Sequence, residues 1–145
     1  MTKEKYSISI NASREKVWQV LFNEETYTQW TVPFTPGSVA ITDWQEGSSA
    51  RFVDGTGDGM ISRIEKRVDN EYLSIEHIGM IQKGESITSG PQVAPWKGSH
   101  ENYILSSSGS QTLLEVEMDT TPEMLQYFQD KWPKALQKVK ELAEQ

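Results

Sequence analysis

Residues 120–145 read TTPEMLQYFQDKWPKALQKVKELAEQ, a stretch with the periodicity of a long amphipathic helix. At 100° per residue, its apolar side chains fall within an arc of roughly 120°, and its charged and amide side chains fall opposite them. The apolar members are Met124, Leu125, Phe128, Trp132, Ala135, Leu136, Val139, Leu142 and Ala143. A stripe of this width needs a broad apolar surface to cover it. The stretch therefore predicts a curved sheet elsewhere in the chain.

The sequence predicts where this helix starts and how its internal proline affects it. Thr121 can serve as the N-cap, and Pro122 suits the first helical position. Pro133 falls on the polar side of the helical wheel, where it removes a hydrogen bond to the carbonyl of Gln129. Because water can replace that bond, we expect the helix to bend at Pro133. The alternative is that one helix stops at Trp132 and another starts at the proline.

Six short β-prone runs precede this helix, and turn residues separate them. They cover residues 39–44, 50–53, 60–68, 72–81, 101–106 and 112–118. Sequential hairpins of this kind predict an antiparallel meander with one face exposed to water.

The N-terminal part predicts a strand followed by two short helices. Apolar and polar residues alternate over residues 5–10, as in a half-buried strand. Ser13 can cap a helix that carries Val17, Val20 and Leu21, and a second helical stretch covers about residues 24–30. The two prolines within residues 32–37 end that stretch because proline lacks an N–H donor and fixes φ.

The composition is that of an acidic globular protein. The chain has 145 residues, of which 36% are apolar and 24% charged, and its net charge is −7. Its length predicts one domain over residues 1–145. Without an apolar run of ~20 residues, a leader-like segment or any cysteine, we expect a cytoplasmic protein with no membrane association. The negative charge also argues against nucleic acid as a partner.

The order of elements resembles the START-like (SRPBCC) superfamily, and most of all its branch of homologues of the heat-shock chaperone ATPase activator. The likeness rests on residues 10–18 (INASREKVW), on the glycine-led hairpin of residues 46–65, and on the Trp132-Pro133 pair within residues 132–140. The resemblance implies an α+β helix-grip fold. In that fold a curved antiparallel sheet, made of the first strand and a six-strand meander, grips the long C-terminal helix, with two short helices beside it.

Members of this superfamily bind hydrophobic or aromatic small molecules between the sheet and the C-terminal helix, and some are aromatase/cyclase enzymes. The resemblance therefore implies non-enzymatic binding of a small hydrophobic or aromatic ligand, such as a lipid or polyketide. No cofactor, metal site or catalytic residue is expected. The expected ligand-binding residues are Trp30, Phe34, Phe52, Met60, Ile75, His77, Trp96, Tyr103, Phe128, Trp132 and Leu136.

A few polar groups should fix the orientation of a ligand in such a cavity. The candidates are His77 with Ser62, or Asn102 with His100. An aromatase/cyclase-type enzyme, a further alternative, would need one of the two histidines to face the cavity. Two histidines without a third ligand do not predict a zinc site.

The partner of His77 cannot be read from the sequence. Glu76 adjoins it, but neighbouring strand residues point to opposite faces, so these two residues do not form a natural dyad. A cross-strand pair of His77 with Glu101 or Tyr103 stays open, because the strand register is unknown.

The branch name also suggests a protein-interaction module that acts on a chaperone in the stress response. Chaperone regulators of this branch carry a second domain for docking, which these 145 residues do not include. We therefore expect a small ligand rather than a chaperone as the main partner, and a monomer or weak homodimer.

Residues 54–65 have the oxygen-ligand spacing of an EF-hand calcium loop, with Asp54, Asp58 and Glu65 at three ligand positions and Gly59 at the turn. The loop departs from that pattern at Thr56, and no helix precedes it. A hairpin turn rich in glycine and aspartate is the expected structure.

Residues 82–98 form a long irregular stretch with one large aromatic residue, Trp96. Loops of this length are often lids or binding loops. The stretch predicts either a flap over one mouth of the cavity or a longer strand with a disordered tip.

Overall fold

Eight strands of the computed structural model, which describes residues 1–145, form one antiparallel sheet. The strands are β1 (Thr2–Ile10), β2 (Val39–Ile41), β3 (Ser49–Val53), β4 (Gly59–Val68), β5 (Tyr72–Gln82), β6 (Glu85–Ile87), β7 (His100–Ser108) and β8 (Gln111–Thr120). Their order is β1-β8-β7-β5-β4-β3-β2, and β6 pairs with β5. The helices are α1 (Arg14–Phe22), α2 (Glu24–Trp30) and α3 (Pro122–Ala143). The predicted α+β helix-grip fold is confirmed.

Side-chain caps fix the two short helices locally. Ser13 accepts a hydrogen bond from the backbone N–H of Lys16 (3.2 Å), which starts α1, and Asn23 caps α2 in the same way. The Trp30 indole then donates to the Leu21 carbonyl (3.1 Å). This bond ties the end of α2 to α1, so that Trp30 is held beneath the sheet.

The closing helix α3 runs without interruption through Pro133, so it does not stop at Trp132. Pro133 is exposed, and the missing hydrogen bond therefore lies on the water side, as expected. The opposite face of α3 packs against β1, α1 and α2. The buried residues of that face are Trp132, Ala135, Leu136, Val139 and Ala143. None of the three helices combines the length and apolarity needed to cross a bilayer.

Strand β2 is shorter than predicted, since it ends at Ile41 and not at Trp44. The Thr42 hydroxyl accepts from the Trp44 N–H (3.1 Å), and the Asp43 carboxylate accepts from the Gln45 N–H (2.9 Å). Such local side-chain bonds compete with strand pairing. Trp44 has a positive φ of 61°, and its side chain packs against the core.

The stretch of residues 82–98 is more regular than predicted. Lys83 and Gly84 have positive φ values of 52° and 79°, as in a tight two-residue hairpin turn. This turn folds the short β6 back onto β5. Hydrogen-bonded turns follow over residues 90–99, anchored by the fully buried Val93.

Residues 54–58 form the turn between β3 and β4, so the loop has strands on both sides and lacks the two helices of an EF-hand. The Asp54 carboxylate accepts from the backbone N–H of Thr56 (2.8 Å) and from its hydroxyl (2.6 Å). The Asp54 carboxylate thus has its hydrogen-bond partners within the turn. The structure has no group of three or more acidic or histidine side chains that could hold a metal ion.

Candidate ligand cavity

A cavity of about 530 Å³ lies between the sheet and the N-terminal half of α3. It is lined by 23 residues, of which 13 are hydrophobic. This volume falls within the range of small-molecule sites, which are concave and mostly apolar. The predicted residues that line it are Trp30, Phe34, Phe52, Met60, His77, Trp96, Tyr103, Phe128 and Trp132.

Two predicted residues, Ile75 and Leu136, do not line the cavity. Each is only 2% exposed and belongs to the hydrophobic core. Ile75 pairs with Ile64 one step beyond His77, and Leu136 lies one helical turn beyond Trp132. The space between helix and sheet is therefore filled at this end and open at the other.

Trp132 forms a fixed wall of the cavity because aromatic rings surround it. Phe34 meets it edge-on at a centroid distance of 4.9 Å, and Trp30 and Tyr103 lie at 6.1 and 6.2 Å. Tyr6 stacks on it at 6.2 Å. Only 2% of Trp132 is exposed, so its ring holds one position.

A β-bulge places two further side chains on the cavity side of the sheet. Met60 pairs with Met80, but the register between β4 and β5 shifts before the next inward pair, Ser62 and His77. The shift leaves Ile78 without a partner in the ladder. His77 and Met80 are three residues apart and would face opposite sides of a regular strand, yet both line the cavity.

Polar side chains of β4, β5 and β7 form a continuous hydrogen-bonded chain beside the cavity. The Ser62 hydroxyl lies 2.7 Å from His77 Nδ1, and His77 Nε2 lies 3.3 Å from Glu101 Oε1. The Tyr103 hydroxyl donates to the other oxygen of the same carboxylate. The His77 and Glu101 side chains retain 13% and 20% exposure. Of the open cross-strand alternatives, the structure thus shows His77 with Glu101.

The surroundings of Glu101 determine the protonation states of these hydrogen-bonded side chains. Burial acts to raise the pKa of Glu101, but the hydrogen bond and charge of His77, together with the Tyr103 hydroxyl, hold it below its ordinary value. Burial, and then the Glu101 charge, raise the pKa of Tyr103 and of the lining residue Tyr27. At neutral pH Glu101 is therefore a carboxylate, and Tyr27 and Tyr103 are protonated phenols.

Glu101 was not among the predicted site residues, although the sequence contained a signal for it. Residues two apart on a strand share a face, so the prediction that Tyr103 faces inward also applies to Glu101. The same rule turns Asn102 and His100 away from the cavity. Asn102 accepts from a β5 hydroxyl (2.6 Å), and His100 pairs with Glu65. The second predicted polar pair therefore does not face the cavity.

Residues 90–99 cover one side of the cavity. Trp96 and Gln92 line it, and the Trp96 indole donates to the Gln92 carbonyl (2.9 Å). Gly98 N–H donates to the His77 carbonyl (2.8 Å), and His77 N–H donates to the Ser99 carbonyl (2.9 Å). The segment is thus joined by backbone bonds to the strand that carries His77. Movement of this segment as a lid stays a prediction.

Solved structures of known proteins share this fold. The solution structure of the Aha1 dimer from Colwellia psychrerythraea is 22% identical, with 99% of this chain and 97% of that chain covered and a TM-score of 0.74. Protein MLL2253 from Mesorhizobium loti is 15% identical, covers 97% and 96%, and has a TM-score of 0.75. DynU16, from the dynemicin biosynthetic locus, is 13% identical over 96% of this chain but 46% of its own, with a TM-score of 0.71. At these identities the likeness shows the fold alone.

The family is shown by the sequence itself. No curated protein matches the chain. A family model described as "Activator of Hsp90 ATPase homolog 1-like protein" matches residues 11–144, which includes every element except β1. This chain therefore belongs to the family of activator of Hsp90 ATPase homolog 1-like proteins, within the START-like superfamily.

Proposed function

We propose that this protein binds an apolar small molecule in the cavity between its sheet and α3, without transforming it. The observation that carries the proposal is the cavity of about 530 Å³, with a largely hydrophobic lining that includes the hydrogen-bonded pair of His77 and Glu101. Apolar walls supply affinity by removing ligand surface from water, and a few polar groups fix orientation.

The cavity lining combines rigid rings with flexible side chains. The rings include Phe128 and Trp132 of α3 and Phe52 and Tyr103 of the sheet. Four of the five methionines in the chain also line the cavity: Met60, Met80, Met118 and Met124. Thioether side chains are flexible and polarisable, so they adapt to ligands of different shape. This combination favours a flat aromatic ligand against the rings, with tolerance in its substituents.

The test is a titration with aromatic polyketides and lipids, followed by amide resonances near Trp96 and Trp132. Trp96→Ala should weaken binding of a hit by about tenfold, since tryptophan is enriched among the contact residues whose truncation costs more than 1 kcal/mol. Tyr72→Ala is the matched control, because Tyr72 begins β5 and does not line the cavity. Equal losses in both variants, or no shifted resonance with any compound, would rule out the cavity as the site.

A second candidate function, an aromatase/cyclase-type enzyme, is favoured by one observation. His77 lines the cavity and is hydrogen-bonded to Glu101, as in a general-base pair. Both nitrogens of the His77 ring are already engaged, however, by Ser62 and Glu101. A non-enzymatic role therefore stands first. Incubation with a linear polyketide, with products followed by mass spectrometry, separates the two, and a cyclised product that His77→Gln abolishes would favour the enzyme.

Interaction with a chaperone, a cytoplasmic location and a role in the stress response stay predictions, as does a monomeric or weakly dimeric state. The family name alone supports the chaperone alternative. If the purified protein changes the ATPase rate of its own organism's Hsp90, a protein-interaction role gains support.

A further inference from the structure

We propose that the ligand of this cavity is an organic cation, namely an apolar and preferably aromatic molecule with one amine or quaternary ammonium group held beside Glu101. The inference rests on the proposed function and names the chemical class of ligand for the same site.

The charges around the cavity point to this class. No lysine or arginine lines it, and its charged lining residues are Glu101 and Asp119, with His77 as the one titratable base. The negative charge of Asp119 has a counter-charge outside the cavity, because the Lys3 ammonium lies 3.7 Å from its carboxylate. Glu101 has no lysine or arginine partner, and the one basic side chain that it contacts is His77.

Neither protonation state of His77 makes its pair with Glu101 positive. With a neutral imidazole, the pair of His77 and Glu101 carries one negative charge, and with an imidazolium the two charges cancel. A carboxylate, phosphate or sulfate group on a ligand would therefore meet no counter-charge, and it would lie near the Glu101 carboxylate in a site of low dielectric. Fatty acids and other anionic ligands are disfavoured on these grounds.

The Glu101 carboxylate has acceptor positions left for a ligand. Its two oxygens each receive one hydrogen bond, from His77 and from Tyr103. An ionised carboxylate can accept roughly four, so about two remain free. The side chain keeps 20% exposure and lines the cavity, so the free positions are open to a donor there. An ammonium group, which only donates, complements them.

The aromatic lining adds a second attraction for a cation. Ring faces carry negative electrostatic potential, and recognition sites for quaternary ammonium groups are built from such rings. The Tyr103 hydroxyl donates to the carboxylate, and after burial the Glu101 charge contributes to raising the pKa of the lining residue Tyr27. Trp30 packs against Tyr27 and Trp132 packs against Tyr103, and both tryptophans line the space where the apolar body of the ligand would lie.

The test varies the charge of the ligand while its apolar body stays constant. One series is 2-(2-naphthyl)ethylamine, 2-(2-naphthyl)ethanol and the anion of 2-naphthylacetic acid. A second series is decylamine, decanol and decanoate, each below its micellar concentration. Isothermal titration calorimetry at neutral pH should give the amine at least about tenfold tighter binding than the carboxylate, with the alcohol between them.

Glu101→Gln should reduce this preference to less than about threefold, because it removes the charge that the amine meets. Glu115→Gln is the control, since it removes a carboxylate of β8 that pairs with Lys5 (3.6 Å) and does not line the cavity. It should keep the full preference. If Glu101→Gln does not fold, the ligand series on the unmodified protein still decides.

The outcomes separate the two proposals. Equal binding of amine and carboxylate, or tighter binding of the carboxylate, would overturn the cation proposal and leave apolar binding in the cavity intact. Binding of none of the six compounds would overturn both. An equal drop in preference in Glu101→Gln and Glu115→Gln would show that net protein charge, and not Glu101, selects the ligand.

Discussion

Glu101 links the chemistry of the cavity to the stability of the fold. Its pKa is held below the ordinary value of 4.5, so the unfolded chain takes up a proton at this position before the folded protein does. The stabilisation is complete above that value and is lost as the pH falls through the lower folded pKa. Urea unfolding between pH 7 and pH 3 should show a smaller acid-dependent loss in Glu101→Gln than in the unmodified protein.

Other carboxyl groups must be separated from this effect. Asp43, Asp54 and Glu144 also have lowered pKa values, and hydrogen bonds are the main cause for each. Glu144→Gln serves as the comparison, because Glu144 bonds to Lys140 and Asn11 far from the cavity. If the pH profile of Glu101→Gln matches that of the unmodified protein, Glu101 does not cause the loss of stability in acid.

The two tryptophans of the cavity should differ in what they contribute to stability. Trp132 is 2% exposed and packs among four aromatic rings, so Trp132→Ala should lower the free energy of unfolding by roughly 3–5 kcal/mol. Trp96 is only half-buried in a turn segment, and its truncation should cost much less. Denaturant unfolding of both variants measures this. A similar small loss in each would mean that Trp132 is not a fixed wall of the cavity.

At the scale of elements, the hairpin of β3 and β4 depends on Gly59. A Cβ at this position would lie 1.9 Å from the carbonyl oxygen of Phe52, which is backbone and cannot move aside alone. Gly59→Ala should therefore destabilise the protein by roughly 1–3 kcal/mol or more, as overpacking does. Gly55→Ala lies in the same turn, where the nearest atom is 3.8 Å from the new Cβ, and should be nearly neutral. Thermal unfolding of both variants compares them, and equal midpoints would contradict the clash.

In helix α3, by contrast, a substitution at Pro133 should stabilise the protein. Pro133→Ala restores an N–H donor for the carbonyl of Gln129 on the exposed face. Alanine should raise the free energy of unfolding, by at most about 3 kcal/mol, the propensity difference in a helix interior. Lys134→Ala, at the exposed neighbouring position, should leave it nearly unchanged. A lower melting temperature for Pro133→Ala would show that the proline shapes the contact of α3 with the sheet.

Elements were predictable where their signals are local. The stripe of α3 and the Ser13 cap both follow from neighbouring residues, and the structure shows them where the sequence placed them. The β-bulge at Ile78 has no such local signal, since it depends on how two strands align. The hairpin at Lys83 was missed for another reason, because lysine is an unusual residue at positive φ.

For the whole molecule, the position of the cavity was harder to predict than the fold. Apolar residues line voids and fill cores alike, so residue type did not distinguish Leu136, which is core, from Phe128, which lines the cavity. The difference arises from how tightly α3 approaches the sheet along its length. Glu101, by contrast, could have been found, because it shares a strand face with Tyr103.

A ligand in this cavity should stabilise the whole fold, because the site exists only where α3 lies over the sheet. A molecule that binds the folded protein alone, at 100 times its dissociation constant, adds about 2.7 kcal/mol to the free energy of unfolding. For a chain of this length that amounts to a rise of roughly 5–10 °C in the melting temperature. The rise should continue with the logarithm of ligand concentration, and Trp96→Ala should need more ligand for the same rise. A melting temperature that stays constant while calorimetry reports binding would place the ligand on segments that the unfolded chain also offers.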